Sequence, residues 1–286
     1  MMRPVAHFLL VLFLGLGLSA CSTIKFGYDQ LDWLIPYYTG DYLDLNADQE
    51  AYLDRAVGDL LVWHCGDHLG AYAELLRDTN REFLRRGMDE AAFNRFVDRL
   101  GVYWKEIKRK VAPNVVHLLL SSNQDQIDEF LARLAKENEE LLEEYQEKTE
   151  QEQREERLTL ATKHLERWLG PLREDQRKAV KAWNWQFVPY GRMRVQARED
   201  WRQSVGELLQ NRADRVAFEA GLTRLFVDSE MRYSIRYLRI IEANRSLTVQ
   251  MLAEVTRLMG RDQIEHLVGE AGALADDLDS LVCRDS

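Results

Sequence analysis

After residue 45, apolar residues recur along the chain at intervals of three and four, which is the spacing of one face of an amphipathic α-helix. The segment 67–86 is typical, and its apolar residues at this spacing are Leu69, Tyr72, Ala73, Leu76 and Phe83. The pattern and its interruptions predict helices over about 46–63, 67–86, 89–113, 121–145, 172–211, 214–226, 229–259 and 262–282. We therefore expect an all-α protein, built as a multi-helix bundle or array.

Polar residues suited to capping mark several of these helix starts. Asn46 with Gln49, and Ser121 with Gln124, have the spacing of a capping box, in which each side chain bonds to the backbone N–H of the other residue. Pro113 is expected to end or kink the helix in which it lies. Pro189-Tyr190-Gly191 is expected to form a kink or a turn within the helical segment 172–211.

The order of these features recurs in the second half of the chain. The first series consists of Gln49, Leu75-Leu76, Ala92-Phe93 and Gln124. A similar series follows 125 to 139 residues later and consists of Gln176, Leu208-Leu209, Ala217-Phe218 and Gln263. The offsets drift, so a duplication requires insertions and deletions, and shared cap chemistry alone is the alternative explanation. If the duplication is real, the fold consists of two units of about four helices joined by a long acidic helix.

The segment that would join the two units is strongly charged. Residues 136–157 contain ten Glu and four basic residues, and apolar residues become sparse after Tyr145. This composition predicts a solvated helix that projects beyond the core, or the tip of a helical hairpin. A charged arm that docks a partner is the functional alternative.

The first 21 residues have the pattern of a secretory signal. Arg3 provides a positive charge, residues 8–18 are apolar, and small residues precede a cysteine at the end of Leu18-Ser19-Ala20-Cys21. The apolar run is shorter than the roughly 20 residues that a membrane-spanning helix requires.

Leu-Ser-Ala-Cys resembles the lipobox of bacterial lipoproteins. The resemblance implies that Cys21 becomes the mature N-terminus and carries a thioether-linked diacylglycerol and an acylated amine, with palmitate as an expected acyl chain. In Gram-negative lipoproteins Asp after the cysteine favours retention at the inner membrane. This chain has Ser22, which implies the outer membrane, facing the periplasm. An ordinary signal peptide with a coincidental cysteine is the alternative.

The segment after Cys21 contains no Ser-, Gly- or Pro-rich tether, so the body is expected to lie close to its membrane. The segment contains six aromatic residues, which are Phe26, Tyr28, Trp33, Tyr37, Tyr38 and Tyr42. Aromatic side chains of this kind are common at a membrane interface. The favoured alternative is that they pack onto the helical body. We expect a signal peptide at 1–20, a lipidated N-terminus with this aromatic segment at 21–44, a first helical unit at 45–135, a long charged helix at 136–170 and a second helical unit at 171–286.

Composition and charge exclude several classes of function. The chain has 46% apolar and 30% charged residues, only five Pro, and a formal net charge of −10. So acidic a protein is not expected to bind nucleic acid or to coat an anionic membrane by itself. The sequence contains no Gly-x-Ser-x-Gly, no phosphate-binding Gly-rich loop and no His-Glu-x-x-His, so we predict no cofactor and no catalytic residues, and an enzyme is the less favoured class.

Potential zinc ligands cluster in the segment His64-Cys65-Gly66-Asp67-His68. His64 and His68 would share a face of a continuous helix, but Gly66 is expected to interrupt that helix. The favoured alternative is a turn between helices in which Asp67 caps the second helix and the histidines are partly exposed.

The other candidate residues are two cysteines and a group of arginines. Once Cys21 is lipidated, Cys65 and Cys283 remain, and they can form a disulfide in an oxidising periplasm unless the C-terminus is frayed. A local basic cluster can either pair with the acidic faces of the chain, which we favour, or bind an external anionic ligand; it consists of Arg192, Arg194, Arg198 and Arg202.

The Leu-x-x-x-Gln helix starts, the aromatic segment after the cysteine and the charged middle resemble an uncharacterised family of all-helical lipoproteins of Gram-negative bacteria. The resemblance implies a location and a fold, and carries no site residues. We therefore expect a membrane-anchored structural or interaction module with an envelope protein as partner. A module that binds a lipid or peptidoglycan fragment near Trp183 and Trp185 is the first alternative, and a metal-dependent enzyme at His64–His68 is the second.

Overall fold

The computed structural model describes the backbone of residues 20–283 and the side chains of residues 24–283. The predicted signal peptide before Ala20, including Leu18 and Ser19, lies outside the described residues, as does the side chain of Cys21. The described backbone contains no β-strand, which confirms the all-α prediction. Its helices are α1 Ala20–Tyr28, α2 Leu31–Gly40, α3 Ala47–Asp67, α4 Leu69–Arg86, α5 Glu90–Ser121, α6 Gln124–Glu147, α7 Glu150–Leu169, α8 Glu174–Gln186, α9 Gly191–Gln210, α10 Arg215–Val227, α11 Ile235–Arg257 and α12 Arg261–Ser280, with a 3₁₀ turn Ser229–Arg232.

The capping box predicted at Asn46 is confirmed. The Asn46 side chain accepts a hydrogen bond from the backbone N–H of Gln49 at 3.1 Å, and the Gln49 side chain accepts one from the backbone N–H of Asn46 at 3.0 Å. The exchange satisfies two of the backbone donors that a helix leaves unpaired at its start.

The capping box predicted at Ser121 and Gln124 is wrong. Ser121 is the last residue of α5, and its hydroxyl donates to the carbonyl of Leu118 at 2.9 Å instead of capping the next helix. Asn123 caps α6, and the Gln126 side chain accepts from the backbone N–H of Asn123 at 2.9 Å.

The charged segment 136–170 is divided between α6 and α7 and is not one long helix. The division follows from a further capping box, in which the Glu152 carboxylate accepts from the backbone N–H of Thr149 at 2.8 Å and the Thr149 hydroxyl accepts from that of Glu152 at 3.2 Å. The two parts then pack on different helices, α6 on α9 and α7 on α8 and α12.

Pro113 does not end its helix, because α5 continues to Ser121, with Ala112 and Val116 on either side of the proline buried. The kink or turn expected at Pro189-Tyr190-Gly191 is confirmed, because the helical segment 172–211 is interrupted there between α8 and α9.

The two predicted helical units are interlocked. Helix α6 of the first unit packs along α9 of the second, and α12 of the second packs along α4 of the first. Near the C-terminal end of α5, Val116 shares an apolar cluster with Phe218 of α10, and near its N-terminal end Asp98 pairs with Arg245 of α11 at 2.5 Å. Each half therefore completes the packing of the other.

A repeated contact between buried glutamines supports the internal duplication. Gln126 of α6 donates to the side-chain oxygen of Gln49 at 2.8 Å and to the carbonyl of Asp44 at 2.5 Å. In the second half Gln176 and Gln263 exchange side-chain hydrogen bonds at 3.0 Å.

The second pair reproduces the backbone contact of the first. Gln263 also donates to the carbonyl of Pro171 at 3.0 Å. Asp44 and Pro171 each lie two residues before the N-cap of the helix that follows. The repeated partner of Gln263 is thus Gln126, and the predicted match with Gln124 is corrected by two residues.

Two apolar cores flank this arrangement. One joins α5, α6, α9 and α10 around Ile127, Val205 and Phe218, and the other joins α7, α8 and α11 around Val180 and Val255. Within the described residues, none of the helices has the length and apolar character needed to cross a membrane.

Replacing Gln176 should destabilise the protein strongly. The side chain is 0% exposed, and it donates to the carbonyl of Val255 as well as to Gln263. We expect Gln176→Ala to lower the free energy of unfolding by about 2–4 kcal/mol, because it leaves buried partners unsatisfied and creates a cavity. Chemical denaturation measures this change.

The exposed Gln250 provides the matched control, and Gln250→Ala should change the free energy by less than about 0.5 kcal/mol. Combining Gln176→Ala with Gln263→Ala should cost less than the sum of the single changes. Strict additivity would show that the two glutamines are not coupled.

Candidate functional site

Histidine and tyrosine side chains converge where α1, α3 and α4 meet. His64 lies in the last turn of α3, and His68 lies between α3 and α4. The backbone N–H of His68 still bonds to the carbonyl of His64 at 3.0 Å, so the helical path is nearly continuous through Gly66. The two imidazole rings therefore stack, with centroids 5.5 Å apart and an angle of 11° between their planes.

Hydrogen bonds connect these rings in a row. Tyr28 Oη of α1 lies 3.0 Å from His64 Nδ1, and His64 Nε2 lies 3.3 Å from Tyr72 Oη of α4. Tyr72 Oη also lies 3.3 Å from His68 Nδ1, and His68 Nε2 lies 4.0 Å from a carboxylate oxygen of Glu106. We call Tyr28, His64, His68 and Tyr72 the histidine–tyrosine cluster.

Burial keeps much of the cluster uncharged near neutral pH. It lowers the pKa of His64 from its ordinary 6.5 to about 4, with His68 contributing further, and it raises the pKa of Tyr28 to about 12. Burial also raises the pKa of Tyr72, aided by Tyr103 and Glu106. A neutral imidazole between two phenols is suited to joining helices, whereas a general base needs a pKa near the working pH.

The geometry of this segment argues against the predicted zinc site. Cys65 is bonded to Cys283, so it has no thiolate to offer, and Asp67 is exposed. In the part of the chain that the structure describes, no group of three His, Cys, Asp or Glu side chains is arranged to hold a metal ion.

Two local expectations for this segment are wrong. Gly66 does not interrupt the helix, and Asp67 does not cap α4, because α3 runs through both residues and His68 occupies the N-cap position without a side-chain hydrogen bond.

A disulfide joins Cys65, at the end of α3, to Cys283, beyond the end of α12. The two Cα atoms are 5.2 Å apart, although 218 positions separate the residues in sequence. Arg77 of α4 binds Asp276 at 2.8 Å and Asp279 at 2.5 Å along the same α4–α12 contact. The disulfide and these ion pairs fix the last helix to the first unit.

Helix α1 is docked at the same end of the molecule. It packs on α12, and Lys25 Nζ lies 3.9 Å from the carboxylate of Asp277, whose side chain is buried and whose pKa is raised by that burial. Together with the Tyr28–His64 contact, this ties the N-terminal helix to both halves of the body.

The four arginines of the predicted anionic-ligand patch do not form one site. Arg198 pairs with Glu137 of α6 at 3.3 Å, and Arg202 pairs with its neighbour Glu199 at 2.5 Å. Arg192 is exposed and Arg194 is half-buried. Pairing within the chain accounts for Arg198 and Arg202.

The two tryptophans proposed to line a ligand pocket differ in their exposure to solvent. Trp183 belongs to the second core, and its indole N–H donates to the Thr248 hydroxyl at 3.0 Å. Trp185 is 72% exposed, with Arg154 4.2 Å above its ring. Grooves of about 400 and 560 Å³ lie elsewhere, near Tyr37 and near Leu208.

The sequence reasoning missed the tyrosines that complete the cluster. The spacing of His64, His68 and Tyr72 by four residues each was the available signal for Tyr72. No local pattern pointed to Tyr28, which lies 36 residues before His64.

Comparison with known proteins identifies one family. A model described as a family of unknown function (DUF6279) matches residues 41–238, more than two thirds of the chain. The match contains most of the histidine–tyrosine cluster and omits Tyr28 and Cys283. No curated protein and no solved structure matches the chain.

Removing the disulfide should lower stability by up to about 5 kcal/mol, since a loop of this length has a large closure entropy in the unfolded chain. Cys283→Ser should unfold at lower denaturant concentration than the oxidised wild type. Reductant should shift the wild type to the position of the variant and leave the variant unchanged. If oxidised and reduced wild type unfold together, the disulfide does not stabilise the fold.

Stability should fall between pH 6.5 and 4 because of His64. The unfolded chain takes up a proton at this imidazole near pH 6.5, whereas the folded protein does so only near pH 4, so the unfolded state binds more protons in this window. At about 1.4 kcal/mol per unit, the loss reaches at most about 3 kcal/mol.

Denaturation at several pH values should show a flatter dependence for His64→Gln than for the wild type. His266→Gln, at an exposed imidazole, is the matched control and should keep the wild-type slope. Equal slopes for all three proteins would contradict the role assigned to His64.

Proposed function

The chain belongs to that family, whose function is unknown, and we propose that it is a lipid-anchored interaction module of the bacterial cell envelope that holds a helical body against its membrane. One observation carries the proposal: the lipobox cysteine, Cys21, lies in the first turn of α1, and α1 is docked on the body. An acyl anchor at this position would be joined to the body without a flexible spacer.

The contacts of the N-terminal segment support this geometry. Lys25 binds Asp277, and Tyr28 binds His64. Helix α2 packs on α3, where Ile35 lies against the apolar cluster that contains Leu53. A tether that reaches across a compartment would instead be rich in Gly, Ser or Pro and free of such contacts.

The cysteines fit the same compartment. Lipidation of Cys21 removes one thiol, and the remaining pair, Cys65 and Cys283, is joined. Structural disulfides persist in oxidising environments such as the bacterial periplasm. Ser22 in place of Asp favours the outer membrane, facing the periplasm, as the site of anchoring.

An interaction role is favoured by the exposed apolar side chains of the second half. Val216 is 81% exposed, and Met231, in the 3₁₀ turn, and Ile235, at the start of α11, are also exposed. Met231 borders the groove of about 560 Å³ between α9 and α10. Exposed apolar groups beside a groove are typical of protein contacts, so an envelope protein is the expected partner.

Acyl labelling tests the anchor. In cells supplied with a labelled palmitate analogue, the protein should acquire label, and Cys21→Ser should abolish it because the acceptor sulfur is lost. Ser22→Ala is the matched control and should keep the label, and Ser22→Asp should move the labelled protein to the inner-membrane fraction. Label that persists in Cys21→Ser would contradict the proposal.

A further inference from the structure

Large aromatic side chains are exposed on α1 and α2. Phe26 is 69% exposed, Trp33 is 52% exposed and Tyr37 is 62% exposed. The same chain buries aromatic rings elsewhere, as at Phe218 and Trp183, so exposure is not imposed by a lack of core. Several large rings left in water within a dozen residues indicate a surface that something else covers.

Helix α2 separates aliphatic from aromatic side chains. Ile35 faces the body, where it packs against the apolar cluster formed by Leu53, Val57 and Leu118. Trp33 and Tyr37, one helical turn apart, contact each other in a T-shaped, edge-to-face arrangement, with ring centroids 6.3 Å apart. Aromatic rings with polar edges are the side chains enriched at membrane–water interfaces.

The polar edge of Trp33 is satisfied locally. Its indole N–H donates to the side-chain oxygen of Gln30 at 2.7 Å. The ring can therefore enter a less polar environment without leaving an unpaired donor.

Phe26 extends the exposed aromatic surface onto α1. Helix α1 ends at Tyr28 and α2 begins at Leu31, so only a two-residue turn separates the helix of Phe26 from the helix of Trp33 and Tyr37.

The position of these rings follows from the anchor. Cys21 precedes Phe26 by five residues in α1, which is roughly 8 Å along a helix axis, and precedes Tyr37 by sixteen, which is at most roughly 24 Å. A lipid attached at Cys21 would keep all three rings within reach of the headgroup region.

We propose that Phe26, Trp33 and Tyr37 form a membrane-contact face that enters the interfacial layer of a phospholipid bilayer and fixes the orientation of the body. The inference rests on the proposed function, because it requires the acyl anchor at Cys21. It adds a second attachment to the lipid, made by side chains.

Ring burial, and not charge, drives this contact. Within residues 24–40, whose side chains the structure describes, the exposed charges are Asp29 and Asp32, and the one cation, Lys25, is paired with Asp277. Attraction to anionic headgroups is therefore absent from this face, and we expect contact that is insensitive to salt and to anionic lipid.

Fluorescence quenching by brominated lipid tests the face. The full-length acylated protein is reconstituted in phosphatidylcholine vesicles whose acyl chains carry bromine near the headgroup. Trp33→Phe should reduce the quenched part of the tryptophan emission by roughly threefold, since Trp33 is the indole placed at the interface. Trp185→Phe removes an indole of similar exposure on α8 and should leave the quenching unchanged.

Each other outcome is decisive. Equal quenching in the wild type and Trp33→Phe, or quenching lost only in Trp185→Phe, would overturn the face. A dimer that Trp33→Phe dissociates would assign it to a second copy and also overturn it. Quenching that grows strongly when phosphatidylglycerol is added would contradict contact by ring burial.

Mass spectrometry of the N-terminal peptide separates this inference from the proposed function. An acylated Cys21 without interfacial quenching would overturn the membrane-contact face and leave the anchor standing. An unmodified Cys21 would overturn both.

Discussion

A reciprocal hydrogen bond between two buried glutamines is the constraint on which the rest of the fold depends. Each glutamine accepts the backbone N–H of the N-cap residue of its own helix and binds the glutamine that begins a second helix, as Gln176 and Gln263 do at 3.0 Å in both directions. Neither helix can shift without leaving a buried amide unpaired, so the pair fixes where both helices start. Gln49 and Gln126 repeat the device in the first half. With both starts fixed, α6 and α12 extend from these pairs onto helices of the opposite half.

Local pattern predicted the helical class and part of this device. Leu45 to Gln49 and Leu172 to Gln176 marked two of the four helix starts, because a capping box is legible within five residues. The role of Gln126 was not predicted, because Ser121 and Asn123 are both residues that can cap the helix. The contact of Gln126 with Gln49, which is distant in sequence, favours Asn123 as the cap. The spacing of Thr149 and Glu152 is that of a capping box and indicated a helix start at this point. The high charge of the segment led instead to the prediction of one long helix. The Tyr28–His64 contact had no local signature at all.

The same end of the molecule gathers the features that bear on function. The histidine–tyrosine cluster receives α1, the disulfide ties the chain beyond α12 to α3, and Lys25 binds Asp277 beside them. Two of these links, at Lys25 and Tyr28, lie four and seven residues after the predicted lipidation site. In the proposed account the cluster is a joint between anchor and body, and the lowered pKa of His64, which keeps that imidazole neutral near pH 7, suits a buried joint better than catalysis.

Amide hydrogen exchange of the membrane-attached protein tests this central claim, that the N-terminal segment is a docked part of the body, most directly. The account predicts that amides of α1 and α2 exchange nearly as slowly as those of α3, because helices held by tertiary contacts open rarely. Exchange of residues 22–40 at the rate of an unstructured peptide, while α3 remains protected, would show a flexible tether and contradict the account.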